Sequence, residues 1–289
     1  MRYFFRFLRT VRYLRFIQIA NRIKRKIYQP RLINLDTCVN FHLSNRSPLA
    51  FSSTNPKSIL GENNFKFLNA EIKLEFPEGW NRLDIPLLWM YNLHYHAGLL
   101  NNQTSEDLKR KFVMSWIFDN SASPGIGWQP YPLSLRIVNW IKWVWTEKTE
   151  IPDEVYASLF QQSKYLFKTL EYHLLGNHLL ENAKALVFAG YFFEGPDAES
   201  WLNKGLSILE VELQEQILDD GGHFELSPMY HSLILELVLD ILQLANTREA
   251  NPALADQLKN LSDLAGKMSG WLAAMCHPDG EISFFNDAA

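Results

Sequence analysis

Residues 232–245 read SLILELVLDILQLA, and this stretch decides the fold. It keeps Glu236, Asp240 and Gln243 polar, as one narrow stripe on a helix. A helix that is apolar nearly all round must be covered on both sides. That requirement calls for an inner layer of helices wrapped by an outer one. Residues 106–119, 132–147, 153–174, 178–192, 197–218, 228–246 and 252–276 carry the same 3.6-residue apolar spacing. Gly, Pro or Asp breaks separate most of them, so neighbouring helices form antiparallel hairpins. The expected fold is all-α: an incomplete (α/α) toroid of helical hairpins over residues 84–276.

The rest of the chain reads differently. Residues 1–27 contain no acid, and Arg2, Arg6, Arg9, Arg12 and Arg15 recur every three or four residues among apolar ones. This is a basic amphipathic helix, suited to an anionic membrane surface, an anionic polymer, or simple packing on the body. Arginines interrupt every candidate apolar core, so the segment reads as neither a secretory signal nor a membrane span. The expected location is therefore the cytoplasm or the inner membrane surface. Residues 28–83 look irregular, with RSPLAFSSTNPKS (46–58) as the clearest loop and AEIKLEF (70–76) suited to a short strand.

Net charge is -4, which argues against a nucleic-acid binder. Cys38 and Cys276 are distant and read as unpaired thiols. No phosphate-binding loop, dinucleotide fingerprint, nucleophile elbow or zinc spacing is present, and no cofactor or metal is expected. Aromatic residues make up 13% of the chain, which fits core packing more readily than a sugar-binding cleft.

Three groups of residues could carry chemistry. In HLLGNHLLENAKALVFAG (173–190), Asn177, His178, Glu181 and Asn182 crowd the first turns, and the same face continues as Ala185, Phe188 and Ala189. That face is therefore covered. Its polar end is either a closed hydrogen-bond network, with Asn177 as N-cap, or the floor of a cleft. In LDDGGHFELSPMYHSLI (218–234), Ser227 and Pro228 start a helix whose first turn holds Tyr230 and His231. A tyrosine there meets an acidic ligand or simply packs. In GWQPYPLSLRIVNWIKWVW (127–145), Arg136 sits on an apolar face near Trp128 and Tyr131. It either clamps a carboxylate or pairs with one in the core. WMYNLHYHAGLL (89–100) is a cleft wall or core.

In the same order along the chain, these blocks resemble the heparinase II/III-like polysaccharide lyases. The resemblance runs from FKFLNAEIKLEF (65–76) through LLGNHLLENAKALVFAGYFF (174–193) and GGHFELSPMYHSLILE (221–236) to HPDGEISFFNDAA (277–289). It implies β-elimination on a uronate-containing acidic glycan, such as one like heparan sulfate, alginate or an exopolysaccharide. Asn177 and His178 would neutralise the uronate carboxylate, and Tyr230 would be the general acid and also a candidate base. Glu181, His231, Arg136, Trp128 and Tyr131 would bind substrate. In that family a β-sandwich follows the toroid. Residues 277–289 look like the start of the linker to it, so the chain is expected to be weakly active or inactive without that domain. Two other classes stay open. One is a glycoside hydrolase using carboxylates from among Asp219, Asp220 and Glu225. The other is a non-catalytic glycan-binding or assembly protein.

Overall fold

The computed structural model describes residues 9, 12–28, 30, 41–44, 56–121, 125–246 and 258–287. Helix α1 (Phe16–Ile27) is followed by strands β1 (His42–Leu43), β2 (Ile59–Gly61), β3 (Asn64–Phe67) and β4 (Ala70–Lys73). The body comprises α2 (Leu87–Tyr95), α3 (Glu106–Asn120), α4 (Pro130–Thr146), α5 (Asp153–Thr169), α6 (Gly176–Phe192), β5 (Phe193–Glu194), α7 (Pro196–Gln216), α8 (Pro228–Ala245) and α9 (Leu258–Met275). Residues 1–8, most of the loop at 46–58, Cys38 and residues 252–257 lie outside the described residues.

The helices alternate between two layers. α2, α4, α6 and α8 pack side by side as an inner row, while α5 packs on α4 and α6, α7 on α6, and α9 on α8. This is the arc of an (α/α) toroid, and the reason lies in burial. Every residue of α6 from Leu179 to Phe192 is buried, and α4 is buried continuously from Arg136 to Trp143. Helices covered on both sides bury apolar side chains all round. Trp80, Trp89, Trp116, Trp140, Trp143 and Trp201 are among the largest fully buried side chains, so these tryptophans are core.

Two glycines set the approach of α6 to α7. A Cβ on Gly190 would stand 2.6 Å from Ala198 O and Leu202 N. One on Gly205 would stand 2.8 Å from Ala183 O. Backbone meets backbone there, and no larger residue fits.

Before the toroid, β2, β3 and β4 form an antiparallel sheet, with Phe65 opposite Ile72. β1 pairs with β5. Ser227 caps α8 by accepting from Tyr230 N at 3.4 Å, with Pro228 in the first turn, as its sequence predicts. Two boundaries differ from expectation. The helix expected over 153–174 ends at Thr169, because Leu170 turns to an extended conformation (φ -46°, ψ 142°). The next helix starts at Gly176 after Leu175 in a left-handed conformation (φ 65°) without a side-chain cap. Asn177 is therefore inside the first turn and is not the N-cap. Helix α2 is an element that periodicity alone did not reveal.

Candidate active site

The break between α5 and α6 builds the site. It turns Glu171 inward, where it is 5% exposed. Glu171 Oε2 accepts from His178 Nδ1–H and from Asn182 Nδ2, both at 3.2 Å. Glu171 N donates to Asn182 Oδ1 at 2.8 Å, and Asn182 Nδ2 also donates to Ser134 Oγ at 3.0 Å. Asn182 thus locks the loop to α6 and α4. With Nδ1 committed to Glu171, His178 keeps Nε2 for another partner. The Tyr131 ring lies against the His178 imidazole with centroids 4.4 Å apart.

Asn177 and His178 line a cavity of about 350 Å³ together with Arg15, Glu215, Phe224 and Glu225. Burial raises the Glu225 carboxyl, Asp287 raises it further, and His178 opposes. Burial raises the Tyr131 hydroxyl above the usual tyrosine range, and Glu181, Tyr95, Tyr230 and Glu171 push it the same way. Tyr230, whose backbone N–H donates to Ser227 Oγ at the start of α8, is not among the residues that line this cavity.

Beneath this floor is a buried ionic cluster. Asp240 accepts from Lys142 Nζ at 2.6 and 2.7 Å, and Lys184 Nζ lies 2.6 Å from its other side. Burial disfavours the Asp240 charge, but the two ammonium groups outweigh it and hold the carboxyl below its usual range. Glu181 is 6% exposed, and its Oε2 has no hydrogen-bond partner. Burial raises its carboxyl, with Lys184 opposing.

Sequence reading placed Asn177, His178, Glu181, Tyr131 and Tyr230 in one neighbourhood; the structure sets Asn177 and His178 on one cavity with the Tyr131 ring against His178, while Glu181 is buried and Tyr230 does not line that cavity. The structure separates three others. Arg136 is fully buried, donating from Nε to Gln162 Oε1 at 2.9 Å and from a terminal nitrogen to His94 O at 3.2 Å. Its guanidinium lies 3.8 Å from the Trp116 ring centroid. It is a core group held by an amide and a carbonyl, and it neither reaches the cavity nor pairs with a carboxylate. His231 is also fully buried: Nδ1 accepts from His223 N at 3.3 Å and Nε2 meets Met268 O at 2.9 Å. It ties α8 to α9. Trp128 is 4% exposed, donates to Asn120 O at 2.7 Å, and borders a different cavity. Asp219 and Asp220 sit in the turn after α7 and do not line the Asn177 cavity. Glu171 was missed, because nothing between residues 153 and 174 breaks the helical pattern in sequence.

The family model described as Heparinase II/III N-terminus matches residues 121–289. A heparin-sulfate lyase of Bacteroides thetaiotaomicron is 27% identical over 202 residues, covering 62% of this chain and 28% of that protein. One from Bacteroides stercoris is 34% identical over 121 residues, covering 40% and 17%. Among solved structures, heparan sulfate lyase HepC from Pedobacter heparinus aligns with a TM-score of 0.55 at 20% identity, covering 84% of this chain and 43% of that one. Heparinase III aligns with a TM-score of 0.57 at 22% identity, covering 77% and 37%. At these identities the solved structures establish the fold alone. The chain spans less than half the length of each of these relatives. Because the matched family model covers more than half of this chain, the chain belongs to the heparinase II/III N-terminus family of polysaccharide lyases.

Proposed function

We propose that this chain carries the helical half of a lyase site that cleaves a uronate-containing acidic glycan, of the heparan sulfate kind, by β-elimination. One observation carries the reading. Asn177 and His178 open into one cavity, and His178 is fixed from behind by Glu171 and Tyr131; Tyr230, in the first turn of α8, enters the reading by the family resemblance. Asn177 Nδ2 and His178 Nε2–H donate to the uronate carboxylate and stabilise the charge that builds there as C5 loses its proton. Tyr230 takes that proton as phenolate. The C5–H electron pair becomes the C4–C5 double bond, the C4–O4 bond breaks, and Tyr230 passes the proton to the leaving O4. An ordinary tyrosine ionises near pH 10. Tyr230 stands in the first turn of α8, where the helix dipole favours an anion.

The test is incubation with heparan sulfate, alginate and hyaluronan while recording the ultraviolet absorbance of an unsaturated uronate. The expected result is absorbance from one of the three and a loss of about 10²–10⁴-fold in Tyr230→Phe. New reducing ends without that absorbance would mean hydrolysis and overturn the reading. So would tight binding with neither signal.

A further inference from the structure

Helix α1 meets the body with its polar side. Arg15 pairs with Glu215, Gln18 Nε2 donates to Leu174 O at 3.3 Å, and Arg22 donates to His173 O at 3.4 Å. Arg25 donates to His173 Nδ1 at 3.3 Å. At 100° per residue these four side chains share one face. Phe16, Ile23 and Ile27 occupy the opposite face and are 85%, 55% and 82% exposed. A helix docked for hydrophobic burial would sit the other way round. What α1 brings to the body is cationic side chains.

Some of that charge is unanswered. Lys24 and Arg25, with Lys168 at the end of α5, line a cavity of about 320 Å³ between α1, α4 and α5. None of its lining residues is acidic. Lys24 and Lys168 have no carboxylate partner among the described residues. Burial first, then Arg25, lowers His173 to about 4, so its ring accepts from Arg25 without adding charge. Three like charges around one hollow repel each other unless an anion joins them. Tyr28 and Tyr165 also line it, and such rings are the kind of surface that a sugar packs against.

The two cavities share no lining residue, but both border the segment that carries α1. Arg15 lines the one that holds Asn177 and His178, and Arg25 lines this one. Ten helical residues separate them, roughly 15 Å, a span that a short oligosaccharide covers. Gln129 edges the second cavity, two residues before the Tyr131 that packs on His178.

We propose that the cavity between α1, α4 and α5 is a second glycan subsite, which holds a sulfate or carboxylate on a sugar several rings from the one bound at Asn177 and His178. Helix α1 is then a cationic strap along the path of the polymer. The inference rests on the lyase reading for the identity of the polymer.

The test is calorimetric binding of a heparan sulfate disaccharide, a heparan sulfate octasaccharide and an alginate octasaccharide to the Tyr230→Phe chain, which cannot turn over. The comparison is the same chain carrying Lys24→Ala and Lys168→Ala, which truncate two exposed side chains without an ion pair among the described residues. The octasaccharide is expected to bind more tightly than the disaccharide. The double substitution should weaken octasaccharide binding about tenfold, worth about 1.4 kcal/mol, and leave the disaccharide unchanged. Loss for heparan sulfate alone identifies sulfate as the anion, and loss for both octasaccharides shows that a carboxylate suffices. Unchanged octasaccharide affinity would overturn the proposal. So would unchanged glycan binding alongside weaker attachment to phosphatidylserine vesicles, which would assign these lysines to a lipid surface. If the unsubstituted chain gives no elimination product while the length-dependent loss still appears, the lyase reading fails and the subsite stands.

Discussion

The Tyr131 ring lies 4.4 Å from the imidazole of His178, centroid to centroid, with 37° between the planes. Glu171 holds the same imidazole at Nδ1. One residue fixes the plane of the ring, and the other fixes its rotation and tautomer. An aromatic pair of this kind is worth ~0.5–1.5 kcal/mol, up to about tenfold in rate if it is needed for alignment. Tyr131→Phe should therefore keep kcat within about threefold, whereas Tyr131→Ala should lower it about tenfold. Equal rates for the two variants, with circular dichroism unchanged, would show that the stack does not matter.

Glu171→Gln tests the other contact. A neutral glutamine oxygen is a weaker acceptor than the carboxylate, and its NH2 group cannot accept, so it holds His178 and Asn182 less firmly. The expected loss is about 10²-fold in kcat, with KM nearly unchanged. A loss confined to thermal stability would reduce Glu171 to a structural role.

Asp240 sits between Lys142 and Lys184, and all three are at least nine-tenths buried. Asp240→Ala removes the carboxylate that both ammonium groups bind. Removing one partner from a buried ion pair costs ~3–5 kcal/mol. Urea unfolding should show a loss of that size, and a change below 1 kcal/mol would mean that water reaches the cluster.

Gly190→Ala places a methyl against Ala198 O and Leu202 N, where only backbone is available to move. Overpacking of this kind costs ~1–3 kcal/mol. Gly266→Ala, where a Cβ meets nothing within 4 Å, is the control and should be neutral or slightly stabilising. Similar melting temperatures for the two variants would contradict the close α6–α7 approach.

Acid should destabilise the fold. Burial first, then Arg136, pushes His94 down to about 3, and burial pushes His223 down to about 4, from an ordinary 6.5. Both bind protons in the unfolded chain before they do in the folded one. Their contribution is present above pH 6.5 and is lost as pH falls from there toward 3 to 4. Glu181, raised by burial, acts the other way, since its contribution is lost as pH rises through its folded pKa. The urea midpoint should fall steadily from pH 7 to pH 4, with proton uptake on unfolding. A flat midpoint over that range would refute this assignment.

Much of the architecture was legible in the chain. The all-round apolar character of residues 232–245 required a covered inner helix, and α8 is one. The switch from polar to apolar along one face of α6 marked its first turn as a covered polar site, and Asn177 and His178 line a cavity there. Arg136 and His231 were equally visible as polar residues among apolar ones, yet they belong to the core. Sequence cannot make that distinction, because a buried arginine bonded to Gln162 and His94 has the same neighbours in sequence as one facing a cleft. Glu171 was hidden for a related reason. Its inward turn follows from the break at Leu170, where no glycine or proline marks a boundary.

By itself, the sequence determined most of the helical segments, the need to cover residues 232–245 on both sides, and which residue types gather at the start of α6. Those features rest on local periodicity and on the cost of leaving apolar faces in water. The tertiary structure decided which polar side chains meet each other and which meet the cleft. That choice depends on the register of α4, α6 and α8 across the inner row, through contacts such as Asn182 to Ser134, Lys142 to Asp240 and Tyr131 to His178. The cost of burying an unpartnered polar group is paid or avoided only between helices, so no single helix's sequence encodes it.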